Sequence, residues 1–98
     1  MTRKASLLVN DAPISLDYFV ENFIDHTTGA MIASLEGTGE IKTLELTVDG
    51  DKVAVNLNDA EVPVGQFVAK IFQATVEAMV SPLKGVNEIN KVKINITR

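Results

Sequence analysis

The chain contains no cysteine and no tryptophan, and only one tyrosine, one histidine and three prolines among its 98 residues. Without cysteine there can be no disulfide, thiolate metal site or cysteine nucleophile, a composition suited to a reducing, cytoplasmic setting. Without tryptophan, and with its phenylalanines read as core residues, the chain has no aromatic platform for stacking bases or a flavin. No apolar stretch approaches the ~20 residues that a bilayer crossing needs. The basic opening with Arg3 and Lys4 leads into an apolar run that Asn10 and Asp11 cut short of signal-peptide length. The expectation is a soluble, cytoplasmic protein without a membrane partner. Positive charge is also scarce, with nine Lys and Arg against thirteen Asp and Glu, a net charge of −4 and a pI near 4.8. Since Lys and Arg neutralise phosphates in non-specific nucleic-acid binding, a nucleic-acid partner is not expected either.

Signature motifs for catalysis are missing as well. Gly37-Thr38-Gly39 lacks the downstream Gly-Lys-Ser/Thr of a phosphate loop and reads as a helix stop. There is no Gly-x-Ser-x-Gly elbow and no zinc-ligand spacing. No catalytic residue, metal site or cofactor is therefore expected.

What the sequence does contain is itself, twice. Pairing each residue with the one 48 positions later aligns Lys4–Gly50 with Lys52–Arg98, and 13 of the 47 pairs are identical. Among them are Asn10/Asn58, Asp11/Asp59, Phe19/Phe67, Thr27/Thr75, Met31/Met79 and Gly37/Gly85. Repetition at a fixed period means one supersecondary unit used twice, here within a single domain covering residues 1–98. The copies differ in charge: residues 1–50 carry three basic and eight acidic side chains, net −5, and residues 51–98 carry six and five, net +1.

Each copy opens with an alternating apolar segment followed by Asn-Asp, two residue types that tolerate the left-handed backbone of a tight hairpin. The register then sets Val9 opposite Ala12 and Leu57 opposite Ala60. Pro13 and Pro63 make the returning strand short and peripheral. A helix follows over about 16–35 and again over about 64–83, with Ser15 as the first N-cap and Pro63 at the entry of the second. Leu16, Phe19, Val20, Phe23, Thr27, Ala30, Met31 and Ser34 trace a stripe at helical spacing that reads as core-facing, repeated by Val64, Phe67, Val68, Ile71, Thr75, Ala78, Met79 and Pro82. Gly37 and Gly85 suit the left-handed residue that ends a helix. A last strand, 43–48 or 91–96, is apolar on one face and polar on the other. The unit reads ββαβ. Two units predict an α+β two-layer sandwich, a six-stranded mostly antiparallel sheet with two long helices on one face.

Several positions are candidates for function. Asp17, Glu21 and Asp25 form an acidic ridge on the first helix, too spread out to converge on one cation, and read as a solvated face that also favours the helix dipole. Thr27 and Thr75 lie in the apolar stripe, where the two helices would meet. Ala69, Val76 and Val80, with Ile32 of the first copy, lie opposite that stripe. Apolar residues all round a helix call for cover on a second side. Either a second protomer or another protein supplies it, making these four the expected interface, or the other helix of the same chain supplies it by packing against them. The competing reading is a small-ligand protein or enzyme with a pocket between the helices or at a dimer interface, to which His26, Tyr18 and Asn22 would contribute polar groups. The first reading, a non-catalytic self-associating or docking module, is favoured by the unpartnered helix surface. The order of the strands is not set by the pattern, but if the last strands of the two copies pair antiparallel, outward Glu45 and the lysines at 91 and 93 would support that pairing by cross-strand attraction.

Overall fold

The computed structural model describes residues 4–35 and 37–98; Arg3, at the basic opening, lies outside them. In chain order the elements are β1 (Lys4–Val9), β2 (Ala12–Pro13), α1 (Tyr18–Ala33), β3 (Thr43–Asp49), β4 (Lys52–Leu57), β5 (Ala60–Val62), α2 (Gln66–Val80) and β6 (Lys91–Thr97). The fold is α+β: two helices and an open six-stranded sheet in the order β2-β1-β6-β3-β4-β5, antiparallel throughout. Each element from β4 onward begins 48 residues after its counterpart in the first half.

The hairpins follow from the backbone that Asn and Asp accept. Asn10 and Asp11 have φ of 52° and 66°, and Asn58 and Asp59 repeat both values. With both turn residues left-handed, Val9 pairs with Ala12 and Leu57 with Ala60, as the sequence requires. The returning strands β2 and β5 are two and three residues long and form the two edges of the sheet. Pro13 sits in β2, whereas Pro63 falls just beyond β5. Beyond the short β2, the amide of Ala5 donates instead to a carboxylate oxygen of Glu21 at 3.1 Å.

Asn10 and Asn58 also do something that turn chemistry alone does not require. Asn58 Oδ1 accepts from the amides of Lys42 and Thr43 at 2.8 and 3.0 Å, and its Nδ2 donates to the Glu40 carbonyl at 2.9 Å. Asn10 makes the same three bonds to Asn90, Lys91 and Glu88. Each hairpin turn is thereby clamped to the start of a neighbouring long strand, β3 for Asn58 and β6 for Asn10.

At the centre of the sheet β3 pairs with β6, Leu46 directly opposite its counterpart Ile94. Glu45 lies across from Asn95, and the ion pair goes diagonally to Lys93, Nζ to Oε2 at 3.8 Å. Along the long strands alternate residues are buried: Ala5, Leu7 and Val9 in β1, Leu44, Leu46 and Val48 in β3, Val55 and Leu57 in β4, and Val92, Ile94 and Ile96 in β6. They form one hydrophobic cluster with Ile24 and Ile32 of α1 and Phe72, Val76, Met79 and Val80 of α2.

That helix face is turned from the expected one. Of the stripe read as core, Phe19, Phe23, Phe67 and Ile71 are exposed, Val20, Met31 and Val68 are half-buried against the core and Met79 is buried in it. The deepest residues under the helices are Ile24, Thr28 and Ile32 in α1 and Phe72, Val76 and Val80 in α2. Ile32, Val76 and Val80, expected at an interface, are fully buried in the chain's own core, and Ala69 is half-buried. In α2 the cause is that both sides of the helix are apolar, so periodicity does not choose between them. In α1 the inward side carries Asp25, Thr28 and Gly29, and the outward phenylalanines make the more apolar stripe. The helices are also shorter than expected. Asp17, not Ser15, caps α1, its Oδ1 accepting from the Val20 amide at 2.8 Å, and Gly65 caps α2 without a side-chain bond. Gly37 and Gly85 do adopt left-handed backbones, φ 75° and 87°, several residues past the helix ends.

Candidate interaction surface

Each helix presents a second apolar stripe to solvent. Phe19, Phe23, His26 and Ala30 on α1, and Phe67, Ile71, Ala74 and Ala78 on α2, are all exposed. The large apolar side chains here are far from core-like: Tyr18 is 86% exposed, Phe67 74%, Phe19 71%, Phe23 47% and Ile71 46%. Phe19 and Phe23 stack on one another, ring centroids 5.9 Å apart, which shields each only in part. Isolated exposed apolar residues need no explanation, but five large ones along two helices form the kind of patch that marks an interaction site.

Between the helices lies a groove of ≈ 630 Å³, lined by Phe19, Val20 and Phe23 from α1 and by Ala74, Thr75, Ala78, Met79, Pro82 and Leu83 from the second helix and its C-terminal turn. Thr75 contributes the one hydroxyl among these nine side chains. Small-molecule sites combine apolar walls with several convergent polar groups that fix orientation, and this groove has no such set.

The side chains expected to supply polar groups lie elsewhere. Tyr18, Asn22 and His26 occupy successive turns of α1. Asn22 Nδ2 donates to the Tyr18 carbonyl at 2.8 Å, and His26 is exposed. None of the three lines the groove. Among the described residues no three His, Asp or Glu side chains come together as a metal site.

The acidic ridge separates into three roles, and of its members only Asp17 is exposed. Asp17 caps α1, Glu21 holds the Ala5 amide, and Asp25 is buried, its Oδ1 accepting from Arg98 Nε at 3.0 Å while its carbonyl accepts from Arg98 Nη2 at 2.9 Å. Gly29 makes room for this guanidinium, because a Cβ there would collide with it. In α2, Gln73 and Glu77 stand 48 residues after Asp25 and Gly29, and these bond to each other, Nε2 to Oε2 at 3.3 Å. Thr28 Oγ1 is buried without a hydrogen-bond partner, where α2 carries Val76.

The stripe read from the sequence as core-facing contained the exposed Phe19, Phe23, Ala30, Phe67, Ile71 and Ala78 but left out His26 and Ala74. A usable signal was present, since Phe19, Phe23, His26 and Ala30, like Phe67, Ile71, Ala74 and Ala78, are spaced by four, three and four residues, as in a coiled-coil seam. No family model, no curated protein and no solved structure matches the chain. Among the described residues no helix is long and apolar enough to cross a membrane.

Proposed function

We propose that this chain is a small non-catalytic module, cytoplasmic and soluble, built from two fused ββαβ copies, which docks on protein through the outward surface of its helices. The carrying observation is the exposure of Phe19, Phe23, Phe67 and Ile71 around an apolar groove. Support for the duplicated architecture comes from the element spacing and from paired details: the amide of Asn10 donates to the Lys91 carbonyl and that of Asn58 to the Thr43 carbonyl, both at 2.8 Å. In this architecture both helices cover one face of the sheet, α1 over β1 and α2 over β4. Three strand spacings separate those strands, about 14 Å. Directly packed helices lie about 8–10 Å apart, so the groove stays open and the outer helix surface stays uncovered. The cytoplasmic setting rests on the cysteine-free composition.

A second reading, a binder of a small apolar ligand, is favoured by the volume of the groove alone and weakened by its lack of polar anchors. Replacing Phe67 with a photoreactive aryl-ketone amino acid in living cells tests the docking reading. Adducts to protein that are absent when the same group replaces Ser6, on the exposed sheet surface, are expected. Equal labelling from both positions refutes it.

A further inference from the structure

The outward stripe of α2 has a shape and a charge pattern that fit a particular occupant, and we infer that it packs against the same stripe of a second copy of this chain, run antiparallel across a two-fold axis. This rests on the reading of the helix surface as a docking face. Along the stripe the large residues Phe67 and Ile71 come first and the small residues Ala74 and Ala78 follow. Turned over on itself, the stripe sets Phe67 against the partner's Ala78 and Ile71 against the partner's Ala74, each large side chain over a small one. A two-fold interface must be self-complementary in this way, because every contact occurs twice.

The flanking charges agree with that arrangement. Lys70 and Glu77 lie seven residues apart, two turns along the same flank of the stripe, Lys70 exposed and Glu77 half-buried. Antiparallel pairing brings Lys70 beside the partner's Glu77 at one end and repeats the attraction at the other. A parallel pairing would instead set lysine near lysine. The area is also adequate. At about 150–250 Å² for a buried aromatic side chain, the exposed parts of Phe19, Phe23 and Phe67, together with Ile71, amount to roughly 450 Å². A stable dimer takes about 800 Å² from each partner, and the alanines and groove walls supply the difference. The same axis lays α1 along the partner's α1, again with phenylalanine over alanine, Phe19 against the partner's Ala30. There His26 replaces the alanine found in α2, which makes α2 the better half of the contact.

Sedimentation equilibrium from low to several hundred micromolar, on wild type and three variants, tests this. Wild type should dimerise. Lys70→Glu should weaken association about three- to tenfold, as two attractive surface pairs become repulsive, and adding Glu77→Lys should restore it. Ala74→Asp should abolish the dimer while lowering circular-dichroism melting at low micromolar concentration by only about 2–5 °C, the helix-propensity cost of Asp for Ala, since position 74 faces solvent in the monomer. A wild type that stays monomeric, or a dimer indifferent to Ala74→Asp and to the charge reversal, overturns the inference. A monomeric wild type that still crosslinks from position 67 to a different protein overturns the second copy as occupant and leaves the docking reading standing.

Discussion

Asn58 supplies a quantitative test of how the fold is held. Its side chain makes three hydrogen bonds to the segment entering β3, and its backbone sits at φ 52°. Each bond is worth about 0.5–1.5 kcal/mol net, and the site is solvent-exposed, so the lower half applies and the three contribute about 2 kcal/mol together. A left-handed residue with a Cβ and no polar side chain costs a further ~1 kcal/mol. Asn58→Ala should therefore lose about 3 kcal/mol. Asn58→Gly keeps the backbone conformation at no steric cost and loses only the clamp, about 2 kcal/mol. Asn58→Asp retains the acceptor for the Lys42 and Thr43 amides and gives up the donor to Glu40, about 1 kcal/mol. Urea unfolding at one fixed low concentration reads all three. In thermal terms the alanine variant should melt about 12–24 °C below wild type, at roughly 4–8 °C per kcal/mol for a domain of this size. The same series at Asn10 should reproduce the same order, because its three bonds are equivalent. If the glycine variant matches wild type at either site, the clamp contributes nothing and the asparagines serve the turn alone.

Other consequences are smaller or more local. Thr28→Val should raise stability by about 1 kcal/mol by removing a buried hydroxyl that lacks a partner, read as a higher melting temperature. Gly29→Ala should displace the Arg98 guanidinium from Asp25 and cost about 2–3 kcal/mol, below the usual loss for a broken buried pair because Arg98 is partly solvated. Combined with Arg98→Ala in a double-mutant cycle, it should cost clearly less than the sum of the two. Glu45→Lys should cost about 0.5 kcal/mol at low salt by opposing Lys93, an effect that high salt should erase; an unchanged melting temperature at both ionic strengths means the central ion pair is inert.

Much of the fold was legible because its signals are local or repeated. The Asn-Asp pairs dictated turn and register, since few residues accept consecutive left-handed conformations, and Pro13 and Pro63 pointed to short edge strands. Strand order was not legible: opposite charges on the two last strands agree with their antiparallel pairing but do not dictate it, and the ion pair runs to Lys93 rather than to the residue directly across. The helix faces were not legible either. The inward side of α1 carries Asp25, Thr28 and Gly29, which look like solvent residues until Arg98, 73 residues away, is seen to lie over them. The outward side carries Phe19 and Phe23, which look like core until the sheet is seen to be covered by Ile24 and Ile32. A sequence pattern gives the period of a helix but not which of two apolar sides meets its own sheet. The identities Phe19/Phe67 and Ala30/Ala78 fall on exposed positions, so the shared pattern of the copies extends to the surface proposed for docking.

The four phenylalanines allow that division to be measured in one experiment, residue-resolved hydroxyl-radical footprinting across a concentration series. Phe72 should be protected at every concentration, because it belongs to the core. Phe19, Phe23 and Phe67 should label readily when dilute, and Phe67 should lose its reactivity as the chain is concentrated into the hundreds of micromolar. Labelling of Phe72 as fast as Phe67 would contradict the assignment of the helix faces, and a Phe67 that stays fully reactive at high concentration would contradict the antiparallel contact between copies.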